Sequence, residues 1–211
     1  MNQDPFEADD SPAGRILRAA RRLLFESSYS GLTMEALAHE IGMSKKTIYA
    51  HFASKDAIIE AILDRTGAMI LEEADALLRD PELGFTRKLR GVLETIGTHL
   101  GRMSPAFLRD LERFAPRHAR RIDELRGRNV PRVFGAVLRL GVEEGMIRPD
   151  VDLAFAVEFW IQALNGLMHP DSLARTGLLP RLVLEKAMEL FFLGLLTQEG
   201  RDDFSRGDPS A

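Results

Sequence analysis

Apolar residues recur along almost the whole chain at spacings of three and four, and no stretch alternates apolar with polar as a half-buried strand would. The pattern predicts an all-α protein. Ser11-Pro12 reads as an N-cap followed by proline at the first helical position. Ile16, Ala20, Leu23 and Leu24 then form one stripe that ends before a turn at Ser27–Gly31. Thr33 caps a short helix whose Met34, Leu37, Ala38 and Ile41 share a face, with Leu32 and Leu37 at hydrophobic-staple spacing. Gly42 ends this helix, where a left-handed residue is needed. Only Met43 intervenes before Ser44 caps a second short helix, and Met43 and Ile48 repeat the staple. Ile48 and Phe52 take one side of it; Lys45, Lys46, Thr47, Tyr49 and His51 are left on the remaining surface. Ser54 caps a longer helix running from Lys55 to near Leu78, stopped by Asp80-Pro81. Further helices are expected at Phe85–Leu100, Pro105–Phe114, Pro116–Glu144, Val151–Met168 and Pro180–Thr197. A turn at Gly145–Asp150 precedes the fourth of these, with Asp150 or Asp152 as its cap.

Two short helices joined by a glycine turn make a helix-turn-helix. The small Ala38 lets them approach, and Ile48 plugs the space between. The second helix presents polar and basic groups on a rigid face, as reading a major groove requires. Such a pattern also arises by chance in all-helical proteins. Charge sharpens the choice. The 211 residues carry a net charge of −4, which on its own argues against nucleic acid. From Ser11 to Lys55, however, there are seven bases (Arg15, Arg18, Arg21, Arg22, Lys45, Lys46, Lys55) against three acids, and the acidic excess lies elsewhere. A basic head on an acidic body is the asymmetry expected when one part alone meets phosphates.

Across residues 12–60 the chain resembles the DNA-binding domain of the TetR/AcrR family of regulators. The likeness rests on Ile16-Leu17-x-Ala19-Ala20 and Leu24-Phe25, then on Gly31-x-Thr33-Met34-x-x-Leu37-Ala38. It continues through Gly42-Met43-Ser44-Lys45-x-Thr47-Ile48-Tyr49-x-His51-Phe52 and Ser54-Lys55-Asp56. The resemblance implies a three-helix DNA-binding domain at residues 11–55, followed by a larger helical ligand-binding and dimerisation domain at 56–198. It makes Ser44–His51 the recognition helix, with Lys45, Lys46 and Thr47 as candidates for base edges. Tyr49, His51, Thr33 and Lys55 become candidates for phosphates. Lys46 stands where many members of the family have a small residue. For Thr33 and Lys55, at helix N-termini, the free backbone N–H groups and the helix dipole point the same way. The plainer readings are Thr33 and Ser54 as caps only, Tyr49 as a packed ring, and His51 and Lys46 as solvated side chains.

The body is less explicit. In Val151–Met168 one stripe (Leu153, Val157, Trp160, Leu164, Leu167) has heptad-like spacing, and Phe155, Phe159, Gln162 and Gly166 form another. A helix apolar on two sides must be covered on two sides. The run Leu190-Phe191-Phe192-Leu193-Gly194-Leu195-Leu196 repeats the theme. The interface expected from this, including Leu190, Phe191 and Gly194, is a homodimer of two helices from each subunit, which is also the family's usual one; one large monomeric bundle is the competing reading. By the same resemblance a small-molecule effector is expected in the body. His99, Met103, Phe107, Phe134 and Trp160 are candidates to line its pocket, with ordinary core as the plainer alternative. Arginines at 109, 113, 117 and 121, with Arg120, Arg126 and Arg128, read as a surface paired with Asp110, Glu112, Asp123 and Glu124; an entrance for an anionic ligand or a second DNA contact is the sharper reading.

Other classes find little support. The chain has no cysteine, so thiolate metal sites and disulfides are excluded. None of its five histidines falls in a metal-protease spacing, although Glu35 and His39 share a helical face. No nucleophile elbow or phosphate-binding glycine loop is present either, so neither an enzyme nor a cofactor is expected. The acidic opening lacks the basic start of a secretory signal, and no apolar run approaches a membrane span. The expectation is a cytoplasmic regulator of double-stranded DNA without membrane contact. A structural DNA-binding protein with no effector stays open, as does activation in place of repression. Residues 1–10 and 199–211, polar and acidic, are expected to be disordered tails.

Overall fold

The computed structural model describes Phe6 and residues 9–26, 29–100 and 103–206. Eleven helices account for most of them: α1 Pro12–Glu26, α2 Met34–Ile41, α3 Lys45–His51, α4 Lys55–Arg79, α5 Phe85–Leu100 and α6 Pro105–Phe114. They continue with α7 Pro116–Glu143, α8 Leu153–Leu167, α9 Pro170–Thr176, α10 Pro180–Leu195 and α11 Gln198–Arg206. Among the described residues there is no strand, only an isolated antiparallel bridge between Ile147 and Leu196. Every helix expected from the pattern is present, with ends shifted by a residue or two. Ser27 and Ser28 of the expected turn lie outside the described residues; Tyr29–Gly31 are a turn.

The chain divides into two compact units, Met1–Met69 with Arg102–Asp123, and Ile70–Gly101 with Glu124–Ala211. The expected division at 55/56 instead falls at the start of α4, a 25-residue helix that contributes to both units. The first unit holds α1–α3, the start of α4, α6 and the start of α7. Ile16, Ala20 and Leu24 of α1, Leu37 of α2, Ile48 of α3, and Ile58, Ile59 and Ile62 of α4 are all fully buried. Phe107 of α6 joins this core edge-on to Phe25, ring centroids 5.4 Å apart. Phe6 is buried too, between the guanidinium groups of Arg21 and Arg65 at 4.5 and 4.9 Å from its ring centre. The Asp9 carboxylate accepts a hydrogen bond from Arg65 at 3.1 Å. The chain passes so close that a Cβ on Gly14 would lie 2.3 Å from Asp9. The expected disordered opening is therefore anchored at Phe6 and Asp9; Met1–Pro5, Glu7 and Ala8 lie outside the described residues.

In the second unit Phe134 of α7 stacks on Trp160 of α8 and on Phe192 of α10, with centroids 5.1 and 6.0 Å apart. Asp152, rather than Asp150, caps α8 by accepting the Phe155 N–H at 3.0 Å. Two helices escaped the pattern. α9 is seven residues long, capped by the His169 ring and ended at Gly177 with φ of 66°. α11 replaces the disordered tail expected from residue 199, and its cause is tertiary. Thr197 Oγ1 accepts the Gly200 N–H at 3.1 Å, and Gly200 packs where a Cβ would meet the Met146 carbonyl at 2.3 Å. Arg90 of α5 then lies over the Phe204 ring and donates to its carbonyl. Residues 207–211 of that tail lie outside the described residues. No helix is long and apolar enough to cross a membrane among the described residues.

Candidate nucleic-acid interface

The helix-turn-helix is built by local chemistry. Thr33 accepts the Ala36 N–H on its hydroxyl at 3.0 Å and starts α2. Gly42 ends α2 with φ of 64°, and its N–H and that of Met43 return to the last carbonyls of the helix. An L-residue at that φ would crowd its own Cβ, which is why glycine stands there. Ser44 then accepts the Thr47 N–H at 3.1 Å and starts α3. With Ile48 buried against the core, Ser44, Lys45, Lys46, Thr47, Tyr49 and His51 are all exposed. Ser44 and the short helix it caps thus present the expected recognition-helix residues to solvent, all but Ile48 and Ala50 of the segment being candidates.

The members of that set differ in how free they are. Lys45 is ion-paired to Glu35 of α2 at 2.6 Å; the carboxylate holds the ammonium in its charged form and raises its pKa, while the ammonium lowers that of Glu35. Thr47 and Ser44 share a hydrogen bond between their hydroxyls at 2.9 Å. Lys46 has no ion-pair partner among the described residues, and the Tyr49 side chain is half exposed. Lys55 is half buried. Its ammonium donates to the Tyr29 carbonyl and sits 3.8 Å from the centre of the Tyr29 ring. Burial pushes its pKa down, and the nearby carboxylates of Asp56 and Asp110 oppose this.

The sequence reading missed what lies beside Lys55. The Tyr29 hydroxyl reaches Asp56 Oδ1 at 3.4 Å, and Asp56 is ion-paired to Arg117 and bonded to Nε2 of the fully buried His118 at 2.9 Å. The Arg117 hydrogen bond is the main reason the Asp56 carboxyl lies below its ordinary range. Arg121 reaches Asp64 of α4 at 2.8 Å. The arginine row is thus paired in part with acids of α4. The one available signal was an aromatic residue, Tyr29, in an otherwise polar turn.

The candidates in the body are dispersed. Met103 and Phe107 are buried in the first unit, whereas His99, Phe134 and Trp160 are buried in the second. Phe134 and Trp160 stack on each other; His99 Nε2 is bonded to Glu73 at 3.2 Å. The expected association face fares differently. Phe155, Phe159, Gln162 and Gly166 of α8 are exposed together with Leu190 and Gly194 of α10, and Phe191 is half buried. The Phe159 and Phe191 rings stack nearly parallel at 6.1 Å, joining the two helices' contributions. No cluster of three or more histidine, aspartate or glutamate side chains able to hold a metal occurs among the described residues.

Residues 16–62 match the family model for bacterial regulatory proteins of the tetR family. The chain is 23% identical over 188 residues to the uncharacterized HTH-type transcriptional regulator YvaF of Bacillus subtilis, covering 89% of this chain and 97% of that protein. It is also 23% identical to the transcriptional repressor KstR2 of Mycobacterium tuberculosis over 71% of this chain and 76% of that one. Among solved structures, the TetR family transcriptional regulator PfmR from Thermus thermophilus superposes with a TM-score of 0.56 at 24% identity, covering 84% of this chain and 97% of PfmR.

Proposed function

The chain belongs to the tetR family of bacterial regulatory proteins, and from that premise we propose that it is a homodimeric, cytoplasmic transcriptional repressor that binds a palindromic operator and is released by a small-molecule effector. The observation that carries the reading is α3. It is a capped helix with its one large apolar residue buried and its charged and polar residues exposed. Lys46 and Thr47 suit base edges, and Tyr49, Lys55 and Thr33 suit phosphates, which set register without reading sequence. A homodimer gives the second recognition helix, and two such helices reach half-sites about 34–36 Å apart. The exposed face of α8 and α10, with Phe155 68% and Leu190 76% exposed, fits a second copy. Repression is favoured by the named repressor among the relatives. For the effector, the body's buried aromatic cluster is the supporting feature, since a ligand must favour one state of the dimer to release DNA.

Selection of sites from a random duplex pool tests this. Enrichment of a palindrome with half-sites about one helical turn apart supports regulator and dimer together. Failure to enrich any sequence with folded protein refutes operator binding. If a palindrome is enriched but no member of a small-molecule library weakens binding to it, the effector is removed from the reading and a constitutive DNA-binding protein remains.

A further inference from the structure

Lys55 is the one expected phosphate contact whose charged group is already held in place. Its ammonium has three N–H donors. One is taken by the Tyr29 carbonyl, and the ring face beneath it, 3.8 Å away at its centre, occupies a second direction. Tyr29 is itself braced. Its hydroxyl reaches Asp56, its ring lies against the His118 ring with centroids 6.3 Å apart, and the N–H of the next residue, Ser30, is bonded to Asp110 at 3.3 Å. Asp56 is fixed in turn by Arg117 and His118. A lysine on a flexible four-carbon stem is thus presented by a turn that is pinned from three helices, α4, α6 and α7.

We propose that Tyr29 is a positioning residue for DNA binding, its ring and carbonyl holding the Lys55 ammonium at the start of α4 with one N–H left for a phosphate of the duplex. This rests on the DNA-binding reading of the first unit. A lysine held this way has already lost the rotamer freedom that a free surface lysine loses on meeting the phosphate. The aromatic face attracts the ammonium electrostatically in a half-buried place where desolvation works against the charged group.

A double-mutant cycle tests the proposal. Affinity for a fluorescein-labelled duplex taken from the random-pool selection is measured over a series of KCl concentrations, for the unaltered protein, Lys55→Met, Tyr29→Leu and the pair. Loss of one phosphate contact lowers the slope of log K against log salt by about 0.9 for each half-site engaged. We expect Lys55→Met and Tyr29→Leu to lower the slope alike, the pair to lower it no further, and Tyr29→Phe to recover it by restoring the ring, the backbone carbonyl being common to every variant. Tyr29→pentafluorophenylalanine keeps the ring's shape and reverses its charge distribution, so it should behave as Tyr29→Leu without opening a cavity. Additive losses, an unchanged slope for either variant that removes the normal ring face, or tighter binding by Tyr29→Leu would each overturn the positioning role while leaving DNA binding intact. Absence of binding by the unaltered protein to any duplex removes the DNA reading, and this inference with it.

Discussion

Adjacent lysines on α3 have different neighbours, and the difference has consequences. Lys45 is tied to Glu35, so part of its charge is already answered; Lys46 extends into solvent. If Lys46 meets a base edge, Lys46→Ala should alter the preferred base at one position of a selected site, with discrimination falling by roughly 1–3 kcal/mol, while unselected duplexes bind nearly as before. Equal weakening on every duplex, measured by repeating the site selection with the variant, would make Lys46 a phosphate contact. Glu35→Gln should act in the other direction on Lys45, freeing an ammonium and steepening the salt dependence of binding to any duplex. At this scale the sequence was legible where chemistry is local. Thr33 and Ser44 as caps and Gly42 as a left-handed terminus depend on residues three or four apart. Tyr29 beneath Lys55 was not legible, since 26 positions separate the partners and nothing in their spacing brings them together. Phe107, whose two readings were a pocket lining and ordinary core, is fully buried in the first unit with its ring edge-on to Phe25.

Helices were legible where an apolar stripe had length enough to show its period, and α7 was recognisable even across the internal Pro131. α9 and α11 were not, because one is seven residues long and the other is polar and held by Thr197, Gly200 and Phe204 against partners distant in sequence. Ile48 is the apolar centre of α3 and fully buried, so Ile48→Ala should cost about 2–5 kcal/mol of the first unit's stability, read by urea denaturation together with loss of DNA binding. The anchored opening segment makes a pH prediction of its own. The Asp9 carboxyl is lowered from its ordinary 3.8 to about 2, chiefly by its hydrogen bond to Ser11 and then by Arg65. A carboxyl lowered on folding contributes its full stabilisation above the unfolded value and loses it as pH falls through the folded one. Docking of the segment should therefore hold at neutral pH and loosen as pH drops from near 4 towards 2, visible in the 19F spectrum of fluorinated Phe6. In Asp9→Asn the change over that window should vanish; a profile identical to that of the unaltered chain would assign it to other carboxylates.

For the whole molecule the decisive question is what covers α8 and α10. The two-sided apolar pattern was readable from the sequence, and the structure places one side inside, through Ala156, Trp160 and Leu164, and leaves Phe155 and Phe159 outside. Gly166 and Gly194 give the sharpest handle. Both are exposed, and a Cβ on either would meet nothing within 4 Å of its own protomer. Leucine there should not harm the protomer and should favour its helices, since glycine is a poor helix residue by about 1 kcal/mol. A second copy packed on this face would meet the new side chain directly, where a glycine lets backbones approach. Gly194→Leu should then retain its helical circular dichroism while sedimentation velocity shows a shift from dimer to monomer. Affinity for a palindromic site should fall towards that for a single half-site, because two linked heads gain from effective concentration and one does not. A variant that sediments as the unaltered protein does, with the same affinity for the palindrome, would place the association surface elsewhere and leave Phe155, Phe159 and Leu190 without a partner.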